Sequence, residues 1–342
     1  MKLFTIIPVY RTASTLARCI DSVLAQELPC RHEIILVDDG SPDGSPSICD
    51  RYARLHANVM VIHKPNGGLS SARNAALDHL ARTCADCAPD EYITFVDSDD
   101  TLDAHTLAPL MEQLVRHPEA DMLEYSAAIL CGHPTDESAL RLPDATYRSA
   151  AEYWLATRAY RHTYAWNKIF RRSLFCDVRF PEGRNFEDAW TTPRLLGLCP
   201  DVQRHVCIIT SSHGCYRYRW NAAGICATAS YEDVRSRYEA HTATMQHLQQ
   251  LQSEVPDLFA RYDASWQLFM HDIVSTLIDM HRLSGRFEWP RPAVVEAVKG
   301  LAHRKHAKLK LLNAIGYRNL CRVMRGMLLL RHALNSINKV IK

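Results

Sequence analysis

The first half of the chain alternates short apolar runs with longer stretches of helical periodicity. The apolar runs lie at residues 3–7, 33–37, 59–62, 92–96 and 122–127. The helix-like stretches lie between them, at residues 15–25, 47–56, 69–80 and 107–117. Strands and helices that alternate at this spacing are typical of βαβ units with right-handed crossovers. The pattern therefore predicts an α/β, Rossmann-like fold with a mostly parallel central sheet flanked by helices.

Beyond residue 127 the pattern changes twice. Residues 128–230 mix Trp, Tyr and Arg with short apolar runs, whereas residues 231–342 have helical periodicity. Ser230 and Asp233 stand where an N-terminal cap and its third helical residue would. We therefore expect a first domain over residues 1–230, with halves at 1–127 and 128–230, and a helical C-terminal region over 231–342.

The cysteine content and the lengths of the apolar segments predict the cellular compartment of the protein. No stretch approaches the roughly 20 apolar residues of a membrane-spanning helix, and Pro8 ends the first apolar run too soon for a secretory signal. The chain has 12 cysteines, and without a signal they are expected to be reduced thiols inside a cell. The prediction is a cytoplasmic location.

The C-terminal tail is strongly basic. Ten of the 40 Lys and Arg residues, and none of the 38 Asp and Glu residues, lie in residues 303–342. These basic residues alternate with Leu, Ile, Val and Met, which is typical of an interfacial helix on an anionic membrane. The alternative is a helix that packs on the body with its basic face in water. Nucleic acid is not an expected partner, because no basic and aromatic recognition module is present.

Polar or turn-forming residues follow four predicted strands, at the point where each strand ends. They are Pro8 and Tyr10, then Asp38 and Asp39, then residues 64–68, and finally the run Asp97, Ser98, Asp99 and Asp100. In open α/β sheets, ligands bind just beyond the carboxyl ends of the strands. The sequence therefore predicts a binding site at this edge of the sheet.

Asp97 and Asp99 form an Asp-x-Asp motif after an apolar strand. Hard cations such as Mn²⁺ or Mg²⁺ are bound by one or two carboxylates together with substrate phosphates, and the cation would let crowded carboxylates stay ionised. The alternative is a cluster that favours the dipole of the following helix. That alternative suits Asp103, which precedes the predicted helix at 107–117.

Six segments, in this order and spacing, resemble the family 2 glycosyltransferases, which have the GT-A fold and use nucleotide-activated sugars. The segments are TIIPVY (5–10), IILVDDGSPDGS (34–45), NGGLSSARNAAL (66–77), YITFVDSDD (92–100), WNKIFRRSLF (166–175) and RFPEGRNFEDAW (179–190). The resemblance covers about 220 residues and does not extend to the C-terminal hundred. It implies a nucleotide-binding half at 1–127 and an acceptor half at 128–230.

The resemblance implies a role for each matching position. Contacts to the nucleotide sugar fall on Pro8, Tyr10, Asp39, Arg73, Asp97 and Ser98, with Asp39 accepting a hydrogen bond from the uracil ring. Asp99 would ligate the Mn²⁺ or Mg²⁺ ion, and Asp188 would be the catalytic base, with Glu187 as the alternative. Phosphate or acceptor contacts could come from Arg219, Trp166 and Glu187. Trp166 could equally pack in the core, and Arg219 could lie on an exposed strand.

The implied function is an inverting, metal-dependent transfer of a sugar from a nucleotide donor to a hydroxyl group. The expected nucleotide is UDP. The acceptor would be a glycan or a lipid-linked molecule in cell-surface polysaccharide synthesis, at the inner face of the cytoplasmic membrane. One alternative is a nucleotide-sugar-binding protein without catalytic activity. A nucleotidyltransferase is the other, although its glycine- and lysine-rich nucleotide loop is missing from the N-terminal region.

Overall fold

The chain forms two compact units. The computed structural model describes residues 1–83, 88–133, 135–301 and 306–340, with the side chains of the last helix described up to Met327. The first unit consists of Met1–Tyr153 and His162–Ala227, and the second of Trp154–Arg161 and Thr228–Lys342.

All nine strands and helices expected in the first half are present. They are β1 (Lys2–Val9), α1 (Leu16–Leu24), β2 (Arg31–Asp38), α2 (Ser45–Leu55), β3 (Val59–His63), α3 (Leu69–Thr83), β4 (Glu91–Phe95), α4 (Leu107–Arg116) and β6 (Met122–Cys131). A two-residue strand that the periodicity did not predict, β5 (Thr101–Leu102), lies between β4 and α4. The α/β interpretation of the apolar pattern is therefore confirmed.

The less regular middle of the chain completes the sheet. Its elements are β7 (Ser138–Leu140), β8 (Ala145–Tyr147), α5 (Ala150–Ala156), a 3₁₀ helix at Ala159–Arg161, β9 (Lys168–Arg171), a second 3₁₀ helix at Arg172–Phe175, α6 (Glu187–Leu195) and β10 (Ile208–Arg219). Strands β7, β8 and β9 have only three or four residues each, and the 12-residue β10 contains a polar stretch, so none of them gave a clear periodicity in the sequence.

The sheet has the strand order β3-β2-β1-β4-β9-β6-β10-β5, with β7 paired to β6 and β8 paired to β10. Strands β1, β2, β3 and β4 are mutually parallel. Strand β9 is antiparallel to both β4 and β6, and β10 is parallel to β6. The chain leaves β1 toward β2 and later returns to β4 on its other side, so the strand order reverses between β1 and β4. Ligands of open α/β sheets bind at such a switch point.

Apolar residues buried on both faces of the strands form the core of this unit. Residues 34–37 of β2 are all fully buried, as expected for a parallel strand covered on both sides. Helix α1 buries Leu16, Cys19, Ile20 and Val23 at helical spacing. The core therefore holds β1, β2 and β4 in register and fixes where their carboxyl ends lie.

The second unit is helical, with α7 (Tyr231–Glu254), α8 (Pro256–Arg261), α9 (Asp263–Ser284), α10 (Pro292–Gly300) and α11 (Ala307–Val340), which is interrupted at Gly316. Ser230 and Asp233 form a complete capping box at the start of α7, which confirms the cap expected from the sequence. Within the described residues, no helix is both long enough and apolar enough to cross a membrane.

The basic tail is described only in part. Residues 302–305, 341 and 342 lie outside the described residues, as do the side chains beyond Met327. Leu309, Leu312 and Leu320 of α11 are buried, whereas Val323 and Met327 are exposed. Part of the amphipathic pattern thus packs within the second unit, and part of it faces solvent.

Candidate active site

Arg73 of α3 joins three of the candidate carboxylates. Its Nη1 donates hydrogen bonds to Glu187 Oε1 at 2.6 Å and to Asp188 Oδ1 at 3.0 Å, and its Nη2 donates to Asp97 Oδ1 at 3.0 Å. The guanidinium lies over the rings of Phe95 and Phe180, and the side chain is 1% exposed. The carboxyl end of β4 and the start of α6 therefore meet at one buried cation.

The charges of this cluster do not balance. Arg73 supplies one positive charge, whereas Asp97, Glu187 and Asp188 supply three carboxylates. Burial, followed by the charge of Asp188, raises the pKa of Glu187. Burial also raises the pKa of Asp97, and Arg73 opposes that rise. The cluster is thus poised to take up a proton or another positive charge.

Asp188 is held at two points and still reaches solvent. Its Oδ1 accepts from Arg73, and its Oδ2 accepts from the backbone N–H of Ala165 at 3.1 Å. The side chain is 15% exposed, and it lies in the first turn of α6, where the helix dipole favours a negative charge. A carboxylate has about four acceptor positions, so Asp188 can also accept a proton from an external hydroxyl.

Phe186, which precedes this acidic pair, has a left-handed backbone with φ of 57°. Helix α6 then starts at once with Glu187, which is buried, and Asp188. The sharp entry turns both carboxylates toward Arg73. Sequence reasoning placed these residues at the site but gave no reason for their orientation.

Asp99 is the candidate cation ligand, and its surroundings suit that role. Its Oδ2 accepts one hydrogen bond, from Asn221 Nδ2 at 3.1 Å. Across the described residues, no three His, Cys, Asp or Glu side chains come together as a metal site. Mg²⁺ and Mn²⁺ are commonly held by one or two carboxylates plus substrate phosphates, so a site of this sparse kind fits the residues present.

The two other carboxylates that follow β4, those of Asp100 and Asp103, contact residues of β10. Asp100 is buried and accepts hydrogen bonds from the Tyr216 hydroxyl at 2.8 Å and from the Arg219 N–H at 2.7 Å. Asp103 pairs with Arg217. The interpretation of Asp103 as a helix-start residue is wrong, because α4 begins later, after an N-cap at Thr106.

Asp39 lies at the end of β2 and organises the loop that follows β3. Its carboxylate accepts from Lys64 Nζ at 2.5 Å, from Asn66 Nδ2 at 3.1 Å and from the Gly68 N–H at 2.7 Å. The residue is buried. The structure thus gives Asp39 a set of loop contacts that the sequence did not predict.

Pro8, Tyr10 and Ser98 lie at or just beyond the carboxyl ends of β1 and β4. Pro8 is buried in β1 and pairs in register with Val37. Tyr10 is 45% exposed just beyond the strand. Ser98 is buried, and its carbonyl accepts from the Thr15 hydroxyl at 3.1 Å. Of the three, only Tyr10 presents a large free side chain at the strand end.

Trp166 and Arg219, two candidates for phosphate or acceptor contacts, differ in how their side chains are packed and bonded. Trp166 is buried and stacks on Tyr164 and Tyr216 at centroid distances of 4.5 and 4.3 Å, so the core position considered for it is the one observed. Arg219 ends β10, and its Nε is buried with no hydrogen-bond partner among the residues that the structure describes. An unpartnered buried guanidinium nitrogen is costly and suits an anionic ligand.

The sequence did not predict a buried polar cluster centred on Glu124 of β6. Glu124 accepts hydrogen bonds from Tyr153, His162, Asn167 and Lys168. Charged residues in strands usually face solvent, so no pattern in the sequence marked Glu124 as buried. The only signal was Lys168 directly before the apolar pair Ile169 and Phe170, in the segment WNKIF.

A cavity of about 370 Å³ lies beside the amino-terminal half of β10. Its lining residues are Gln113, Arg116, His117, Asp144, Ala145, Thr146, Ile209, Thr210 and His213. None of them is a candidate site residue, and the candidate residues lie by the opposite end of β10. The cavity is therefore a separate feature of the surface.

Comparison with known proteins finds glycosyltransferases, the class that the sequence motifs resemble. Residues 5–128 match the sequence model of Glycosyl transferase family 2. EpsJ of Bacillus subtilis, described as an uncharacterized glycosyltransferase, is 29% identical over 255 residues, covering 71% of this chain and 69% of EpsJ. The poly(ribitol-phosphate) beta-glucosyltransferase of Bacillus spizizenii is 38% identical over 110 residues, covering 31% of this chain and 16% of that protein.

A solved structure shares the fold. Residues 1–349 of S. aureus TarS, in complex with UDP-GlcNAc, superpose with a TM-score of 0.62 and 20% identity, over 96% of this chain and 91% of that chain. The likeness extends through the helical C-terminal region and confirms the predicted GT-A fold with its helical extension. The match to Glycosyl transferase family 2 over residues 5–128 and the relatives that are glycosyltransferases together identify the chain as a glycosyltransferase that carries the family 2 sequence pattern in its first unit.

Proposed function

We propose that the enzyme transfers a sugar from a UDP donor to a hydroxyl group with inversion at the anomeric carbon, and that Asp188 is the base. The observation that carries the proposal is the meeting of Asp97 and Asp188 at the guanidinium of Arg73. Asp97 follows β4 at the switch point, where a donor would lie. The guanidinium of Arg73 therefore connects the proposed base, Asp188, to Asp97 on the proposed donor side.

A single displacement needs few protein groups. The acceptor oxygen attacks the anomeric carbon, its proton passes to Asp188, and the bond from that carbon to the diphosphate oxygen breaks, with its electron pair leaving on UDP. General-base assistance of this kind is typically worth about 10²–10⁴-fold in rate. Asp188 suits the task because two hydrogen bonds fix its carboxylate while part of it remains exposed. Glu187 suits it less, because it is almost fully buried.

The proposed donor contacts surround the same strand ends. Tyr10 is exposed beyond β1 and would pack on the nucleotide, with Pro8 and Ser98 shaping the pocket floor. Asp39 would act on the uracil ring through the backbone of the loop that it holds. Arg73, being fully enclosed, would support the donor side by orienting Asp97. The unpartnered Nε of Arg219 would face the diphosphate.

A divalent cation, Mn²⁺ or Mg²⁺, would be held by Asp99 together with the diphosphate of the donor. Bound there, it would stabilise the charge that develops on the leaving group. Asp99 retains acceptor capacity for this because, among the described residues, Asn221 alone bonds to its carboxylate. Asn221 would then orient the Asp99 carboxylate.

Two observations support the substrate class. TarS binds UDP-GlcNAc in a GT-A fold like this one, and one relative is a poly(ribitol-phosphate) beta-glucosyltransferase. We therefore propose a glycan or lipid-linked acceptor in cell-surface polysaccharide synthesis, with the enzyme in the cytoplasm. The exposed Val323 and Met327 among basic residues of α11 would contact the anionic inner face of the membrane.

The experiment is a donor screen with the full chain. UDP release is measured with Mn²⁺, a panel of nucleotide sugars and extracts of cell-wall glycans, and UDP binding is measured by calorimetry. UDP release with one UDP sugar, together with an inverted anomeric configuration in the product, supports the proposal. Binding of UDP without transfer by any donor would favour a binding protein, and release of pyrophosphate instead of UDP would favour a nucleotidyltransferase.

A further inference from the structure

Four polar side chains are buried around Glu124 of β6 in the first unit. Lys168 Nζ donates to Glu124 Oε1 at 2.7 Å, His162 Nδ1 donates to the same oxygen at 2.8 Å, and the Tyr153 hydroxyl donates to Oε2 at 2.5 Å. Asn167 Nδ2 completes the set at 3.1 Å. The side chains of Glu124 and Lys168 are both 0% exposed. No substrate can reach them, so any part they take in the reaction must act through the protein.

A buried ion pair of this kind is a weak source of stability. Removing two charges from water costs several kcal/mol per ion, and the attraction between them often only offsets that cost. Burial lowers the pKa of Lys168, and Glu124 opposes that decrease. Well-packed apolar residues would stabilise the fold at least as well. The cluster therefore calls for a role other than stability.

Lys168 shapes the segment that precedes it. Besides Glu124, three acceptors surround its Nζ, namely the carbonyl of His162 at 2.8 Å, the carbonyl of Tyr164 at 2.8 Å and Asn167 Oδ1 at 2.9 Å, so its three N–H groups are shared among four acceptors. One ammonium group thus binds the backbone at two places, two residues apart. The segment 162–167 is folded around this group.

That segment in turn holds the start of α6. The backbone N–H of Ala165 donates to Asp188 Oδ2 at 3.1 Å, and Thr192 Oγ1 of α6 donates to the carbonyl of Thr163 at 2.7 Å. Thr163 and Ala165 flank Tyr164, whose carbonyl is bound by Lys168. The path from the buried ammonium to the Asp188 carboxylate is therefore two hydrogen bonds joined by the single peptide group between Tyr164 and Ala165.

We propose that Lys168, with Glu124 as its counter-charge, is a positioning residue that aims the Asp188 carboxylate through the 162–167 segment. This rests on the proposed function in one respect, that Asp188 is the base. Proton transfer depends steeply on geometry, and a displacement of about 1 Å can cost about 10²-fold in rate. Lys168 touches no donor group, so its loss should affect the rate and leave donor binding unchanged.

The test compares Lys168→Met with Arg172→Met in the full chain. Arg172 is the matched control, because it is also a buried cation of the first unit, paired with Glu91 and bonded to the carbonyl of Leu80 in α3. We expect Lys168→Met to lower kcat by about 10- to 100-fold, with KM for the donor and the Kd for UDP within twofold of the wild type. Arg172→Met should keep kcat within threefold.

The outcomes separate this inference from the proposed function. Absence of transfer by the wild type would overturn both. Transfer by the wild type with an unchanged kcat in Lys168→Met would overturn the inference alone, as would an equal loss of kcat in both variants. If Lys168→Met does not fold, Thr192→Val decides the question, because it removes only the bond to the Thr163 carbonyl. A kcat reduced at least threefold, with UDP affinity retained, supports the inference, and a wild-type kcat overturns it.

Discussion

Arg73 accounts for how several carboxylates can lie close together in this site. The sequence suggested a bound cation as the balancing charge near Asp97 and Asp99, and the structure adds a permanent one. The guanidinium of Arg73 binds Asp97, Glu187 and Asp188, and the rings of Phe95 and Phe180 pack against it. Its charge is retained because the carboxylates raise the pKa of Arg73, although burial alone would lower it.

Replacement of Arg73 should therefore destabilise the fold strongly. Removing one partner from a buried charge network typically costs about 3–5 kcal/mol, so Arg73→Met should lower the free energy of unfolding by about that amount in urea denaturation. Arg217 is the matched control, because it also pairs with an aspartate but is 46% exposed, and exposed pairs contribute about 0–1 kcal/mol. Equal effects of Arg73→Met and Arg217→Met would show that the buried cluster is not a network.

Glu187 should make stability depend on pH in a defined direction. Its pKa is raised in the folded state by burial and by Asp188, so its contribution to stability is present at low pH and is lost as the pH rises through the raised pKa. In Glu187→Gln this loss is absent. We expect the variant to equal the wild type near pH 4 and to be more stable at pH 8 by about 1–3 kcal/mol, measured by urea denaturation at both values.

Glu119 provides the control for that measurement. It lies at the surface, and a hydrogen bond to its backbone lowers its pKa, which is the opposite direction. Glu119→Gln should therefore gain no stability between pH 4 and pH 8. A gain of similar size in both variants, or none in Glu187→Gln, would contradict the electrostatic account of the cluster.

At the scale of elements, the site is a property of where strands end. The apolar pattern predicted β1 to β4 and therefore placed Asp39, Asp97 and Asp99 at one edge of the sheet. The sequence could not show that α3 and α6 bring Arg73 and Asp188 together, since these residues are 115 positions apart. Such long-range contacts depend on packing, and the local periodicity of a sequence carries no information about it.

The same limit explains the other differences. Glu124 and Lys168 lie on different strands 44 positions apart, and only the pairing of β6 with β9 shows that their opposite charges meet inside the protein. Asp103 looked like a cap because it precedes a helix, but its partner, Arg217, comes from β10. Local patterns predicted the elements well, whereas the charge pairs between elements required the structure.

The contact between the β2 end and the loop after β3 can be tested at Gly40. Its φ is +67°, and an added Cβ would lie 2.8 Å from the backbone nitrogen of Asn66. Gly40→Ala should therefore displace the loop bound by Asp39, weaken UDP binding at least tenfold in calorimetry and lower stability by more than about 1 kcal/mol. Gly285 is the control, because it has a similar φ of +69° and no atom of the described residues lies within 4 Å of the added Cβ.

Gly285→Ala should show the backbone strain without the clash. We expect it to cost about 1 kcal/mol and to leave UDP binding unchanged, since Gly285 ends α9 in the helical unit. Equal UDP affinity in Gly40→Ala and the wild type would indicate that the loop held by Asp39 does not form part of the donor site.

At the scale of the whole molecule, every candidate site residue belongs to the first unit, which is net acidic around the site. The second unit carries the basic helix α11. The proposed chemistry therefore rests on the first unit, where one arginine connects the donor side with the base.

The most direct test of this account is the rate of sugar transfer in Asp188→Asn. Asparagine keeps the size of the side chain and its hydrogen bond from Ala165 but cannot accept the proton of the acceptor hydroxyl. We predict a loss of about 10²–10⁴-fold in kcat, with the Kd for UDP unchanged, once the donor screen has identified the substrate. Transfer by Asp188→Asn within threefold of the wild-type rate would contradict the account, because the proton would then leave by a route that does not involve Asp188.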